Sequence, residues 1–271
     1  VLNMIVTRLD GKTYDLGDLG ITLREFRPES PSPRTITEQV EGLHGAVDTG
    51  TTYDVRRINC SFYLKAVDKP DFYLMRDEVF ALFDSLRPFY ITETYNPGKR
   101  WLVKVNEPYS IDQQRIYGFF DVVFVAYQPF AESIGTTGTP KTFSEDIWQF
   151  GNGLVAEDYT YTHNTNNFRI FNGGNVEVSP LQMPLRIVFK GPSKGLTISN
   201  ATTKTVWSYD GTSSTGDRVV IDRVTSTKNE VSIFGSTNRK FITLSPGFND
   251  IQVSGNTGGF EITFDFRFYY M

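Results

Sequence analysis

The stretch VRRINCSFYLKAVDKPDFYLMRDEVFALFDSL, residues 55–86, decides the fold. From Ile58 the even positions read Ile58, Cys60, Phe62, Leu64 and Ala66, while the odd ones read Asn59, Ser61, Tyr63 and Lys65. That period of two marks a strand with one buried and one wetter face. Asp68-Lys69-Pro70 then stops the strand and starts a helix: proline suits the first turn, and the aspartate beside it can cap. Phe72, Met75, Val79, Leu82, Phe83 and Leu86 recur at helical spacing, and Arg87-Pro88 closes the segment. Tyr73 and Phe80 widen the apolar arc, which predicts a helix lying on a sheet and mostly covered.

Upstream, residues 1–27 read as a meander. Met4-Ile5-Val6 leads to the turn dipeptide Asp10-Gly11, Lys12–Leu16 returns, and Ile21–Phe26 follows. Pro28, Pro31 and Pro33 are too dense for a central strand. They predict either a plain surface loop or an arm that reaches a neighbouring chain. Thr35–Val40 is a short strand, and Gly42–Gly50 is a glycine-rich turn before the long strand. Downstream, Phe89–Thr94 is β-rich, Asn96-Pro97-Gly98-Lys99 is a turn, and Trp101, Val103 and Val105 alternate in the next strand. Ile116–Tyr127 is apolar at nearly every position and predicts a strand covered on both faces.

Residues 131–146 have the small, polar, glycine-rich composition of a linker. They divide the chain into a first domain, residues 1–133, and a second, residues 147–271. The second reads almost purely as strand and turn: Leu185–Phe189, Leu196–Ser199, Thr205–Tyr209, Arg218–Val224, Glu230–Phe234, Lys240–Leu244, Phe248–Val253 and Phe260–Tyr270. Short strands separated by turn clusters predict a β-sandwich. In the last of them Phe260, Ile262, Phe264, Phe266 and Phe268 face one way, and Glu261, Thr263, Asp265 and Arg267 the other. The fold class is therefore mainly β: a sandwich-like N-terminal domain with one α-helix, then a C-terminal β-sandwich.

At 271 residues the chain has room for these two domains. No segment approaches the roughly 20 apolar residues of a membrane span, and the first residues lack the succession of a secretory signal. The single cysteine, Cys60, excludes an internal disulfide and a multi-cysteine zinc site, and reads as a small core residue. A net charge of −4 argues against a dedicated nucleic-acid binder, yet lets DNA pass without sticking.

Catalytic signals are missing. There is no G-x-S-x-G elbow, no H-E-x-x-H and no phosphate-cradling glycine loop. His44 and His163 read as loop histidines without metal-ligand partners. Glu145/Asp146 and Glu157/Asp158 are adjacent pairs that point apart on an extended chain, unlike a glycosidase pair. The Asp48/Asp54 spacing fits no calcium loop. No enzyme activity, cofactor or metal is expected. Trp207 and Tyr209, two apart on a strand, share a face; they are either a sugar-stacking platform or core.

Three passages resemble the distal tail proteins of long-tailed, non-contractile bacteriophages. They are EGLHGAVDTGTTYDVRRINCSFYLKAVD (41–68) with the helix after it, FNGGNVEVSPLQMPLRIVF (171–189) followed by LTISNATTK, and FITLSPGFNDI (241–251) with its L-x-P-G-x-N turn. The resemblance implies a homohexameric ring at the tail tip, built by the first domain, with a galectin-like or jelly-roll sandwich projecting outward. It implies partners on both sides: tail tube protein and tape measure above, tail-associated and receptor-binding proteins below. DNA would pass through the lumen without specific binding. The chain would be made in the host cytoplasm and end in the virion, with no membrane insertion. On this reading Pro28, Pro31, Pro33, Arg34, Gly42, His44, Gly45 and Asp48 belong to the subunit interface. The competing reading is a carbohydrate-binding adhesin that grips host cell-wall saccharide through Trp207 and Tyr209, or through the loop aromatics Tyr159 and Tyr161. A tail hydrolase is the third class, and the missing motifs speak against it.

Overall fold

The computed structural model describes residues 2–42, 44–139 and 159–271. The chain forms two compact units, Val1–Ala131 with Met271, and Glu132–Tyr270.

In the first unit the strands are β1 (Met4–Arg8), β2 (Thr13–Asp15), β3 (Ile21–Pro28), β4 (Pro33–Glu38), β5 (Val47–Tyr53) and β6 (Arg56–Lys65). Helix α1 (Lys69–Leu82) follows, then β7 (Phe89–Glu93), β8 (Lys99–Val105), β9 (Asp112–Gln114) and β10 (Tyr117–Ala126). They lie in the order β2-β1-β7-β8-β10-β6-β3, with β9 beside β10. Only Phe124↔Val105 and Val125↔Lys104 pair β10 with β8, so the sheet divides into two halves. Between them sits an aromatic core. Phe83 at the end of α1 touches Phe89 of one half at 6.2 Å and Phe124 of the other at 5.3 Å, and Phe62 stacks on Phe120 at 5.1 Å. Burial of each such ring stabilises the unit by about 1.5–3 kcal/mol.

The long strand behaves as its alternation requires. Ile58, Cys60, Phe62, Leu64 and Ala66 are all buried. Burial pushes the Cys60 thiol well above its ordinary range, which makes it an inert core group. Asp68 caps the helix, its carboxylate accepting from the Asp71 N–H at 2.9 Å, with proline in the first turn.

The helix itself differs from its sequence pattern. It ends at Leu82, and Leu86 is 86% exposed. Phe72, Val79 and Leu82 form a narrow buried face, while Tyr73 and Phe80 stand exposed. The reason lies at the C-terminus. Its last turn carries no basic residue; instead the Arg8 guanidinium reaches over from β1 and donates to the carbonyls of Ala81, Leu82 and Asp84 at 3.0, 2.6 and 2.7 Å. A cation on these free carbonyls satisfies the helix end and opposes its dipole. Arg8→Ala is therefore expected to lower the stability of the first unit by about 1–3 kcal/mol in urea denaturation, more than a surface substitution.

Strand β10 also departs from expectation. Its burial alternates, Asp121 is exposed, and Phe119 and Val123 are half-covered. One face is covered and the other is partly wet, so the run of apolar residues overstates the burial.

Strand β11 (Ala131–Ser133) spans the division between the units. The start of the expected linker is held to the second unit: Ser133 and Thr137 donate N–H bonds to the carbonyls of Phe268 and Phe266, and Thr137 Oγ1 donates to Phe264. Residues 140–146 lie outside the described residues.

The second unit contains β12 (Thr162–His163), β13 (Asn167–Asn172), β14 (Leu185–Lys190), β15 (Ser193–Asn200), β16 (Thr205–Ser213) and β17 (Arg218–Asp222). It continues with β18 (Thr225–Lys228), β19 (Val231–Ser232), β20 (Gly247–Asn256), β21 (Glu261–Phe266) and β22 (Tyr269–Tyr270). A six-stranded sheet, β12-β21-β14-β17-β18-β19, and a four-stranded sheet, β13-β20-β15-β16, make the sandwich. Phe260, Ile262, Phe264, Phe266 and Phe268 are all buried, as their alternation predicts.

Two expected strands change character. Lys240–Leu244 forms only a single bridge, Leu244↔Val178, and Glu230–Phe234 shortens to β19 before a 3-10 turn at Phe234–Ser236. Strands β12, β13 and β18 have no counterpart in the sequence reading. Of these, β12 and β18 are short and contain no apolar residue, whereas β13 carries Phe168, Ile170 and Phe171 between asparagines.

The resembling motifs meet in one buried asparagine network. Asn249, fully buried, accepts from the Ser245 N–H at 2.9 Å and donates to the Ser245 carbonyl at 2.8 Å. Asn200 donates to Asn249 at 2.9 Å and to the Thr243 carbonyl at 2.7 Å. Asn172 donates to the Leu244 and Val176 carbonyls and accepts from the Gly174 N–H. Gly247 has φ +83°, the left-handed value a Pro-Gly turn needs at its second central residue. A Cβ on Gly174 would lie under 3 Å from the Tyr269 backbone. Asn172, Asn200 and Asn249 lie at the ends of β13, β15 and β20 in the four-stranded sheet, and their amides tie the carbonyls of residues 243–245 and 247 to that sheet.

Candidate assembly interface

The proline-rich stretch and the glycine-rich stretch fold onto one another. Pro33 to Glu38 pairs antiparallel with Val47 to Tyr53, from Pro33↔Tyr53 to Glu38↔Val47, as a two-stranded sheet of its own. The predicted turn at Gly42–Gly50 is thus half strand. A register shift between Ile36 and Thr37 faces Thr49 and Gly50; Thr49 Oγ1 donates to the Ile36 carbonyl at 2.8 Å and Asp48 accepts from the Gly50 N–H at 2.9 Å. Pro28 ends β3 and Pro33 begins β4, so both prolines sit where a missing N–H costs no ladder bond.

Every residue of both strands is exposed. Ile36 is 57% exposed, and Val40, Val47 and Tyr53 are exposed as well. The hairpin therefore has no core. An isolated two-stranded hairpin is marginal in water, and this one carries its apolar side chains exposed.

The base of the arm is fixed by Arg56. Its side chain is buried, lies 4.8 Å from the Trp101 ring centroid, and donates to the Glu29 carbonyl at 2.7 Å and the Pro129 carbonyl at 3.4 Å. Burial lowers its guanidinium below the ordinary arginine value, though arginine remains charged. The Asp54 N–H donates to the Ser32 carbonyl at 2.9 Å and closes the hairpin where it leaves the unit. Sequence reasoning missed Arg56. Its signal was there: position 56 shares the even register of Ile58 and Cys60, so an arginine on the core face needed partners.

The predicted interface residues fall in three groups. Pro33, Arg34 and Asp48 lie on the paired strands, while Gly42, His44 and Gly45 sit in the loop between them and are exposed. Pro28 and Pro31 belong to the approach to the arm. Asp48 and Asp54 each accept from a nearby backbone N–H and serve their own turns.

The sugar platform at Trp207 and Tyr209 is corrected. The two residues do share a face, but it is the inner one: Trp207 is 1% and Tyr209 7% exposed. Trp207 Nε1 donates to Ser226 Oγ at 3.2 Å, joining the two sheets. Their ring faces are used by the core and offer nothing to a sugar. Tyr161 is likewise buried, its hydroxyl donating to the Phe171 carbonyl at 2.9 Å. His163 lies on β12, stacked on Phe168 at 4.2 Å. Burial lowers its pKa, and Nε2 donates to the Thr160 carbonyl. Among the described residues no group of three His, Cys, Asp or Glu side chains is placed to hold a metal, and no helix is long and apolar enough to cross a membrane.

Two family profiles match the chain in order. Residues 9–126 match the phage tail protein RIFT-related domain, and residues 173–268 match the siphovirus-type tail component, C-terminal domain. The chain belongs to the distal tail protein family of siphoviruses. It is thus a component of the phage tail, and of the virion. The arm lies inside the first matched domain, and the asparagine network inside the second apart from Asn172, one residue before it.

Among solved structures, the Dit protein of phage SPP1, described as a paradigm of the hub adsorption apparatus in phages infecting Gram-positive hosts, is similar over 99% of both chains. The TM-score is 0.70 at 15% identity. That likeness shows the shared fold. A chain of the phage P2 baseplate in its activated conformation with Ca has a TM-score of 0.47 at 10% identity, covering 99% of this chain and 98% of that one. No curated protein sequence matches the chain.

Proposed function

We propose that the protein is the hub of the tail tip, a hexameric ring built by its first unit. The observation that carries this is the β4–β5 hairpin, an ordered arm with exposed apolar side chains and no core of its own. A patch on one subunit that fits a different patch on the next closes into a ring when the rotation allows. Six subunits, the tail tube and tape measure above, and the tail-associated and receptor-binding proteins below are supported by the family. Passage of DNA through the lumen agrees with a mildly acidic chain that would not retain it. The role is structural, in a family not known for catalysis.

The test is light scattering on the full chain and on a variant whose residues 33–53 are replaced by a short Gly-Ser turn. The intact chain is expected to form the ring, and the variant to remain a monomer with a melting temperature lowered only slightly, since every residue of the two arm strands is exposed and Tyr53 alone packs its ring on Phe130. A ring that persists without the arm would remove it from the interface. A full chain that stays monomeric at high concentration would remove the hub reading itself.

A further inference from the structure

Helix α1 presents a second uncovered apolar surface in the first unit. Leu74 is 66% exposed, and Tyr73, Phe80 and Val67 just before the helix stand exposed as well. Side chains four residues apart lie one above the other on a helix. Lys69, Tyr73 and Asp77, all exposed, therefore form one stripe, with Leu74 and Phe80 on either side of it. Arg76 lies over the Tyr73 ring at 5.3 Å and donates to Asp77 at 2.8 Å. That pair is solvent-exposed and weak, and the carboxylate keeps a second oxygen. Exposed apolar side chains grouped on one face mark a surface for a partner.

The arm carries the matching pattern. At its register shift the extra residue, Thr49, lies in β5, so β4 keeps its alternation. Arg34, Ile36 and Glu38 share one face, on which Val47 stands opposite Glu38. A cation and an anion there flank an exposed isoleucine over four residues, about 13 Å along a strand. On the helix Lys69 and Asp77 flank an exposed tyrosine over eight residues, about 12 Å along the axis. Laid antiparallel, the two stripes place Arg34 on Asp77, Ile36 on Tyr73 and Glu38 on Lys69. Complementary charges of this kind fix the direction and register of a contact. The helix of the same chain does not make it, because every residue of β4 and β5 is exposed.

We propose that the exposed stripe of α1 is the seat for the arm of a second copy of this chain. This rests on the ring reading and names the surface that receives the arm. Arm and seat are different patches of one unit, so the contact is head-to-tail, the type that closes into a ring.

The test is light scattering on Arg34→Asp, on Asp77→Arg and on the two together, beside the native chain and the arm-replaced variant. All the substituted side chains are exposed, so melting temperatures should hardly change. Each single swap sets like charges against one another and is expected to weaken assembly by about tenfold or more at low salt. The double swap restores opposite charges and is expected to recover most of the ring. In a second measurement, Ile36→Cys and Tyr73→Cys placed in one chain should give a ladder of covalent oligomers on a denaturing gel after mild oxidation; the native Cys60 is buried and takes no part. A ring that survives both single swaps, a double swap no better than either single one, or a gel without a ladder would overturn the proposal. If the arm-replaced variant is monomeric in that case, the ring reading stands and the seat lies elsewhere. A native chain that stays monomeric would overturn both.

Discussion

Phe264→Asp is expected to unfold the second unit, whereas Thr263→Asp next to it is expected to leave it folded. Phe264 is fully buried on β21, its ring 6.0 Å from Phe168, and its N–H donates to the Tyr161 carbonyl at 2.9 Å. Replacing it removes a large apolar side chain and puts a carboxyl group where nothing can bond to it, at a cost of at least about 4 kcal/mol. Whole domains have only about 5–15 kcal/mol to lose. Thr263 points the other way, half-exposed, with its hydroxyl 3.0 Å from that of Thr162. Aspartate there should cost within about 1 kcal/mol. Urea denaturation of the two variants decides it, and equal midpoints would mean that the register of β21 is wrong.

Asn249→Ala should be the next most damaging change. Asn249 stands at the centre of the network: it takes an N–H from Ser245 and an amide from Asn200, and returns its own amide to the Ser245 and Gly247 carbonyls. Alanine leaves the buried Asn200 amide one acceptor short and frees the Pro-Gly turn, so the expected loss is about 2–5 kcal/mol. Asn249→Asp keeps the acceptor and loses the donors. It should therefore be destabilised too, with a cost that grows as the carboxylate ionises, because a buried charge beside carbonyl oxygens is unfavourable. Denaturation midpoints measured at pH 4 and pH 8 report this. An alanine variant within about 0.5 kcal/mol of the native chain would show that the network is dispensable.

The asparagine network also shows why motif and mechanism separate. L-x-P-G-x-N is readable as a turn because proline and glycine have one backbone meaning each. That its asparagine meets Asn200, 49 residues earlier in the chain, is a long-range fact with no local trace.

What the chain determines by itself is whatever a short window of side chains can encode. Ile58 to Ala66 alternate and are buried in that register; Asp68-Lys69-Pro70 starts the helix; Phe260 to Phe268 alternate and fill a sandwich core. Each depends on neighbours two to four residues away, and local sterics and hydrophobicity suffice. Tertiary structure decides the rest. Trp207 and Tyr209 share a face by periodicity, but only the second sheet, with Ser226 waiting for the indole N–H, makes that face the inner one. The helix stops at Leu82 because Arg8, 74 residues away, is bonded to its last carbonyls. A short strand and a stretch that looks like a turn become one arm because proline-spaced β4 finds its partner in β5, and that every residue of the two strands is exposed is visible only in the tertiary structure. Periodicity reports which side chains share a face; what that face meets is set by elements distant in sequence.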